Sequence, residues 1–392
     1  MDSGGVNANR HHKEACAMIM IDCDFPGGNI IAERIDGDDV FVRQDLRDTD
    51  RDWFYWYFRV RGAAGRTVRF HFTGSNVIGT RGPGMSEDGG VTWRWLGSDA
   101  VDGQSFVYAF ANDAEDVRFS FGMPYVQADL DQFLASYVDS DYLVAETLCE
   151  THKGRDVEML YVGRLDGGAD LRVLIAARHH CCEMMQSYVL EGMMAAILGE
   201  DDLGRWFQGQ VECLVIPFVD KDGVEDGDQG KNRKPRDHNR DYVGESVHIE
   251  TAVIRERVPD WSAGKLKVAI DLHCPWIRMN RNETIYLVGS ESEAHWQEQM
   301  RFSHILEAER TGGLPFCAAD NLPFGVEWNT TENYAAGKSF GRWAGELPGV
   351  QLATGIEFPY ANVGDLDTSP ELARVFGRDL AAALKVYLET MV

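Results

Sequence analysis

The sequence predicts two domains: an N-terminal antiparallel β-sandwich, then a larger α/β domain with a mixed, mainly parallel sheet flanked by helices. Three observations carry this. At 392 residues the chain exceeds a usual single domain. Between about residues 17 and 126, short aromatic and β-branched runs recur between clusters of Gly, Asp and Asn. From 127 onward, continuous apolar runs alternate with amphipathic stretches.

The first region contains "WFYWYFRV" (Trp53 to Val60), "TVRFHFTG", "TWRWL", "SFVYAF" and "VRFSFGM". Short strands at such spacing suit a sandwich or barrel. Residues 1–16 form a polar tail. The following "AMIMI" is short for a secretory apolar core, has no small-residue cleavage site and predicts a first strand.

In the second region, "LRVLIAA", "CLVIPFV", "KVAIDLH" and "VQLATGIEF" read as strands buried on both faces. "MMQSYVLEGMMAAIL" and "ELARVFGRDLAAALKVYLETM" read as helices. The domain therefore spans 127–392. Chemistry in such sheets gathers at the carboxyl ends of strands. There the first, third and fourth runs deliver His180, His273 and Glu357, and the second leads into an Asp/Gly loop.

The balance of 38 Lys+Arg against 63 Asp+Glu gives a formal net charge of −25. A surface of that sign repels nucleic acid and anionic membranes, so neither is expected as a partner. No apolar run reaches bilayer-spanning length. The eight cysteines lack the spacing of a disulfide scaffold and indicate free thiols in a reducing, cytoplasmic setting.

The stretch "ARHHCCEMM" puts two histidines, two cysteines and a glutamate, all residue types that can bind zinc, into five consecutive positions, 179–183. A catalytic zinc takes three protein ligands and keeps one position open. His180 and Glu183, three apart, reach one ion if the chain turns into a helix there; His273 is the strand-end candidate for the third. His179 and Cys182 share that spacing, but a closed Cys/His site needs further C-x-x-C pairs, which are missing. The thiols of Cys181 and Cys182 are expected to pack as small hydrophobes.

In order, "HHCCE", "VDKDGV…GKNRKPRDHNRDY", "IDLH" and "GIEF" resemble the zinc metallocarboxypeptidases, whose pattern is H-x-x-E, an Arg, D-x-N-R, a second His and a late Glu. "DWFYWYFRVRG", "GPGMSEDGGVTWRWLG" and "FSFGMPYVQADLDQFL" are similar to the β-sandwich domain of the cytosolic carboxypeptidase branch. The resemblance spans roughly 27–385. Cys181-Cys182 departs from its usual Pro-Gly, and the loop from Arg233 to Asn239 is shorter than is common.

The resemblance implies Zn2+ on His180, Glu183 and His273, with peptide or protein C-termini as substrates and hydrolysis of the last peptide bond as the reaction. Asn239 and Arg240 would grip the terminal carboxylate. Arg233, or failing it Arg236, would face the scissile carbonyl, and Asp237 would back His180. Glu357 would be the general base, ahead of Glu327, Glu332 and Glu346, and Tyr334 would close over the substrate. The basic segment after His273 adds Arg278, which could pair with a terminal Asp or Glu side chain. Two other functions fit parts of the pattern: a zinc deacylase of N-acyl amino acids, whose β-domain follows its catalytic domain, and a catalytically inactive peptide-binding module.

Overall fold

The computed structural model describes residues 18–278 and 280–391; the expected polar tail lies outside them. The first ten strands are β1 (Met20–Asp22), β2 (Ile31–Asp36), β3 (Asp39–Arg43), β4 (Tyr57–Arg61), β5 (Thr67–Phe72), β6 (Gly84–Ser86), β7 (Arg94–Trp95), β8 (Val101–Asp102), β9 (Ser105–Ala109) and β10 (Val117–Ser120). They form two five-stranded sheets, β1-β4-β10-β6-β7 and β2-β3-β5-β9-β8. Alternation sets their facing: β5 buries Val68, Phe70 and Phe72 and turns Arg69 and His71 outward.

The two inner faces meet through aromatic rings. Phe58 and Phe119 of one sheet pack on Phe70 and Phe106 of the other at centroid distances of 5.1–5.6 Å. The pairing is antiparallel, as the sequence predicts, except between β3 and β5, which run parallel. The chain leaves the sheet after β3 to lay down β4 opposite. It thus returns for β5 by a crossover, and a crossover permits the parallel direction.

After α1 (Gln127–Ala135) come β11 (Leu143–Glu150), β12 (Asp156–Gly163), β13 (Leu171–Ala177), α2 (Met185–Leu198), α3 (Asp202–Gln210), β14 (Val211–Ile216), α4 (Lys221–Asp226), α5 (Ile249–Ser262), β15 (Leu266–His273), β16 (Tyr286–Val288), α6 (Glu293–Glu309), α7 (Phe340–Ala344), β17 (Leu352–Glu357) and α8 (Pro370–Glu389). The seven-stranded sheet has the order β11-β12-β14-β13-β15-β17-β16. Its four central strands are mutually parallel and the outer ones antiparallel.

The central strands are buried almost throughout, which explains their unbroken apolar sequence. α2 is buried on nearly every side, and a helix apolar all round belongs in a core. The sandwich shares that core: Phe121 packs on Tyr360 at 4.8 Å. Because the central strands are parallel, β13, β15 and β17 end on one edge, and the register sets His273 beside Glu357.

Candidate active site

The turn after β13 is held by Arg178. Its φ of 58° lies in the left-handed region, unusual for a non-glycine residue. Its buried guanidinium compensates by donating to Cys181 O, Tyr125 O and Ser187 Oγ, which ties strand end, turn and α2 together. Gly230 lies against this turn with φ 75°. A Cβ there would meet the Cys181 nitrogen at 2.5 Å, so only glycine lets the 228–240 loop approach so closely.

The turn brings His180 and Glu183 together with His273. His180 Nδ1 is 2.9 Å from Glu183 Oε1, and His273 Nδ1 is 2.8 Å from Glu183 Oε2. Each imidazole has a carboxylate beside its other nitrogen: Asp271 Oδ2 is hydrogen-bonded to His273 Nε2 at 2.6 Å, and Asp237 Oδ1 stands at ion-pair distance, 3.8 Å, from His180 Nε2. At His273, an Nε2–H given to Asp271 leaves the Nδ1 lone pair for a metal, the usual arrangement behind histidine ligands. These donors, two imidazoles and a carboxylate, fit zinc or another borderline divalent ion.

Charge follows the geometry. Burial alone would raise Glu183 and Asp237, but the cations around them hold both well below the carboxylate range. Burial would lower His273, yet Asp271 and Glu183 push it well up. Glu357 behaves in the opposite way: burial, with the Glu183 charge adding to it, lifts its carboxyl to about 7 despite His273. Its Oε2 is buried and has no hydrogen-bond partner among the described residues. That is a suitable state for a group that must take up and release a proton.

His179 has both nitrogens occupied, Nδ1 by Asp271 Oδ1 at 2.7 Å and Nε2 by the Tyr242 hydroxyl at 2.7 Å. It therefore supports Asp271, which in turn supports His273. Cys181 and Cys182 are buried, burial pushes their thiols up, and every cysteine among the described residues is free. Neutral packed thiols make poor metal ligands.

A cavity of 1130 Å³ opens over these groups. Asn239, Arg240 and Tyr334 line it. Asn239 Nδ2 is 3.0 Å from His273 Nε2 and its Oδ1 accepts from Phe340 N. Arg240 is oriented by Asn333 O and Asn239 O and lies over the Tyr334 ring at 5.0 Å.

No protein-family model matches the chain. A metallo-carboxypeptidase from Burkholderia cenocepacia superposes with a TM-score of 0.78 at 20% identity, covering 95% of this chain and 100% of that one. One from Pseudomonas aeruginosa, solved with (2-guanidinoethylmercapto)succinic acid, gives 0.77 at 20% identity, with the same coverage. Among sequences, cytosolic carboxypeptidase 2 of Xenopus tropicalis is 23% identical over 66% of this chain, and that of Mus musculus 23% over 74%. The chain has the fold of these metallo-carboxypeptidases, and in sequence it is similar to the cytosolic carboxypeptidases. It spans only 30% and 37% of those two relatives.

Two expectations drawn from the sequence need correcting. Arg233 does not line the cavity. Its guanidinium is spent on Asp220 at 2.8 Å, Asp228 at 3.1 Å and Asp48 at 3.4 Å, all nearly buried carboxylates that outbid the cleft. The fallback, Arg236, is held by Asp241 at 2.6 Å. The cation that reaches Glu183 is Lys231, whose Nζ is 2.6 Å from Glu183 Oε1. Arg278 likewise turns away, donating to Asn76 Oδ1 at 2.8 Å and to Ile78 O in the sandwich domain. Its pairing with an acidic terminal side chain falls with that position.

Lys231 and Asp271 were the residues sequence reasoning missed. Asp271 carried a signal, since it alternates with His273 on a strand otherwise apolar at its end. Lys231 carried none, lying among five basic residues in ten positions.

Proposed function

We propose that the protein is a zinc-dependent carboxypeptidase that removes the C-terminal residue from peptides or proteins. The observation that carries this is the convergence of His180, Glu183 and His273 beside an unpartnered Glu357, in one cavity with Arg240. Zinc held by the first three would act as a Lewis acid on the scissile carbonyl and lower the pKa of an attacking water to about 7.

The remaining work belongs to the chain. Arg240, with Asn239 beside it, binds the terminal carboxylate, a planar anion that a guanidinium matches with paired hydrogen bonds. Glu357 takes a proton from the attacking water as the water oxygen bonds to the carbonyl carbon. The Lys231 ammonium donates to the oxygen on which negative charge develops. When the C–N bond breaks, Glu357 returns the proton to the leaving amine. The Tyr334 ring walls the pocket beside Arg240. Cytosolic naming of the relatives supports a cytoplasmic setting, and no helix among the described residues is long and apolar enough to cross a membrane.

A library of peptides varied at the C-terminal residue, incubated with and without chelator, tests this reading. Release of single C-terminal residues, abolished by chelator and by amidation of the C-terminus, is expected. Arg240→Ala should cost about 2–5 kcal/mol in kcat/KM on the free acid. Equal cleavage of amidated and free peptides would refute an exopeptidase.

A further inference from the structure

The two ring nitrogens of His273 divide the cleft. On the Nε2 side stand Asn239 and, next to it, Arg240. On the Nδ1 side stand Glu183 and then Lys231, whose Nζ lies 5.0 Å from the centre of the Trp53 ring. Trp53 comes from the sandwich domain, in the segment just before β4. Its Nε1 donates to Asn232 Oδ1 at 3.1 Å, and its ring packs on Trp276 at 4.4 Å. Both tryptophans line the cavity, and Trp276 keeps 36% of its surface exposed. Phe54 braces Trp276 edge-on at 5.2 Å, so the ring is held by the sandwich domain from beneath.

On the proposed reading, a peptide has its carboxylate at Arg240 and its scissile carbonyl over the metal ligands. On the Nδ1 side, away from Arg240, Lys231 and these rings line the cavity along a path on which it can continue. We propose that Trp53 and Trp276 form the subsite for the residue preceding the scissile bond. The β-sandwich is then part of the peptide-binding site, and its preferred occupant is a bulky apolar or aromatic penultimate side chain. The chemistry agrees. Two indoles continuous with the cleft give a stacking wall, and the N–H of Trp53 is already satisfied by Asn232. What the wall offers a ligand is apolar surface.

The test uses two peptides alike except for Phe or Gly at the penultimate position. Kd is measured by calorimetry on the zinc-loaded Glu357→Gln protein, and kcat/KM on the unmodified one. The Phe peptide should bind about tenfold tighter. Trp53→Ala should bring that ratio close to one, while Trp53→Phe, which keeps a ring and loses the Asn232 bond, should retain most of it. A ratio of one in the unmodified site would overturn the subsite. So would a Trp53→Ala protein that loses both peptides equally, because Trp53 would then only hold the Lys231 loop. A Phe/Gly binding ratio that persists without any turnover would sink the carboxypeptidase reading and leave the subsite standing.

Discussion

Two layers of side chains meet where β13, β15 and β17 end, and they are built from the same residue types. The layer facing the cavity holds His180, Lys231, Arg240 and Glu357. The layer behind it holds His179, Arg233, Arg236 and Asp220. Neighbours in sequence fall into opposite layers: His179 is locked between Asp271 and Tyr242, while His180 turns its Nδ1 to Glu183. Two residues along the basic loop, Lys231 reaches Glu183 and Arg233 is consumed by three carboxylates. Residue type does not decide which layer a side chain joins. The number of buried partners waiting for it does, since an unpaired buried charge costs more than a long side chain gains by reaching the cleft.

The comparison is sharpest at Glu357. Glu357→Gln keeps the shape of the cavity layer and removes the proton acceptor, so kcat should fall by about 10²–10⁴ with no loss of melting temperature. Near-normal turnover would hand the role to another carboxylate, of which Glu346 also lines the cavity.

Arg233 should behave in the reverse way. Arg233→Met leaves Asp220, Asp228 and Asp48 without their shared cation. Unfolding free energy should drop by about 3–5 kcal/mol, the usual cost of breaking a buried ion pair. Denaturant titration measures it, and the protein that remains folded should keep its kcat/KM. Lost turnover at unchanged stability would return Arg233 to the cleft and dissolve the contrast between the layers.

The cavity layer was the more legible of the two in the sequence. His180, His273 and Glu357 each follow an apolar run, and parallel strands must end on one edge, so their convergence could be read before any coordinates. Asn239, Arg240 and Asp237 came through their resemblance to a known motif. Part of the layer behind was hidden because partners such as Asp271 for His179 and Asp48 for Arg233 are far away in the chain. Asp48 sits in the other domain, and nothing near Arg233 in sequence announces it. The contact of Arg278 with Asn76 and Ile78 was hidden for the same reason. The sandwich was readable from alternation, and its one parallel pair was not, because strand direction depends on where the chain crosses between sheets. The β11–β12 hairpin escaped as well: much of β11 is exposed, so no apolar run marks it.

The smallest effect is expected at Arg278. Arg278→Ala should cost about 1.5 kcal/mol, the worth of charge-assisted hydrogen bonds to the sandwich. It should leave the relative rates on peptides ending in Glu and Gln unchanged. A selective loss of the Glu-ended rate would put Arg278 back at the substrate.

The central claim is that His180, and not its neighbour, holds the metal. Zinc content per chain after dialysis, compared between His180→Ala and His179→Ala, tests it most directly. The unmodified protein should carry a single zinc and His180→Ala none. His179→Ala should still fill under saturating zinc, with an affinity weakened about 10–100-fold as befits a residue that only orients Asp271. Stoichiometric zinc in His180→Ala together with its loss from His179→Ala would contradict the account.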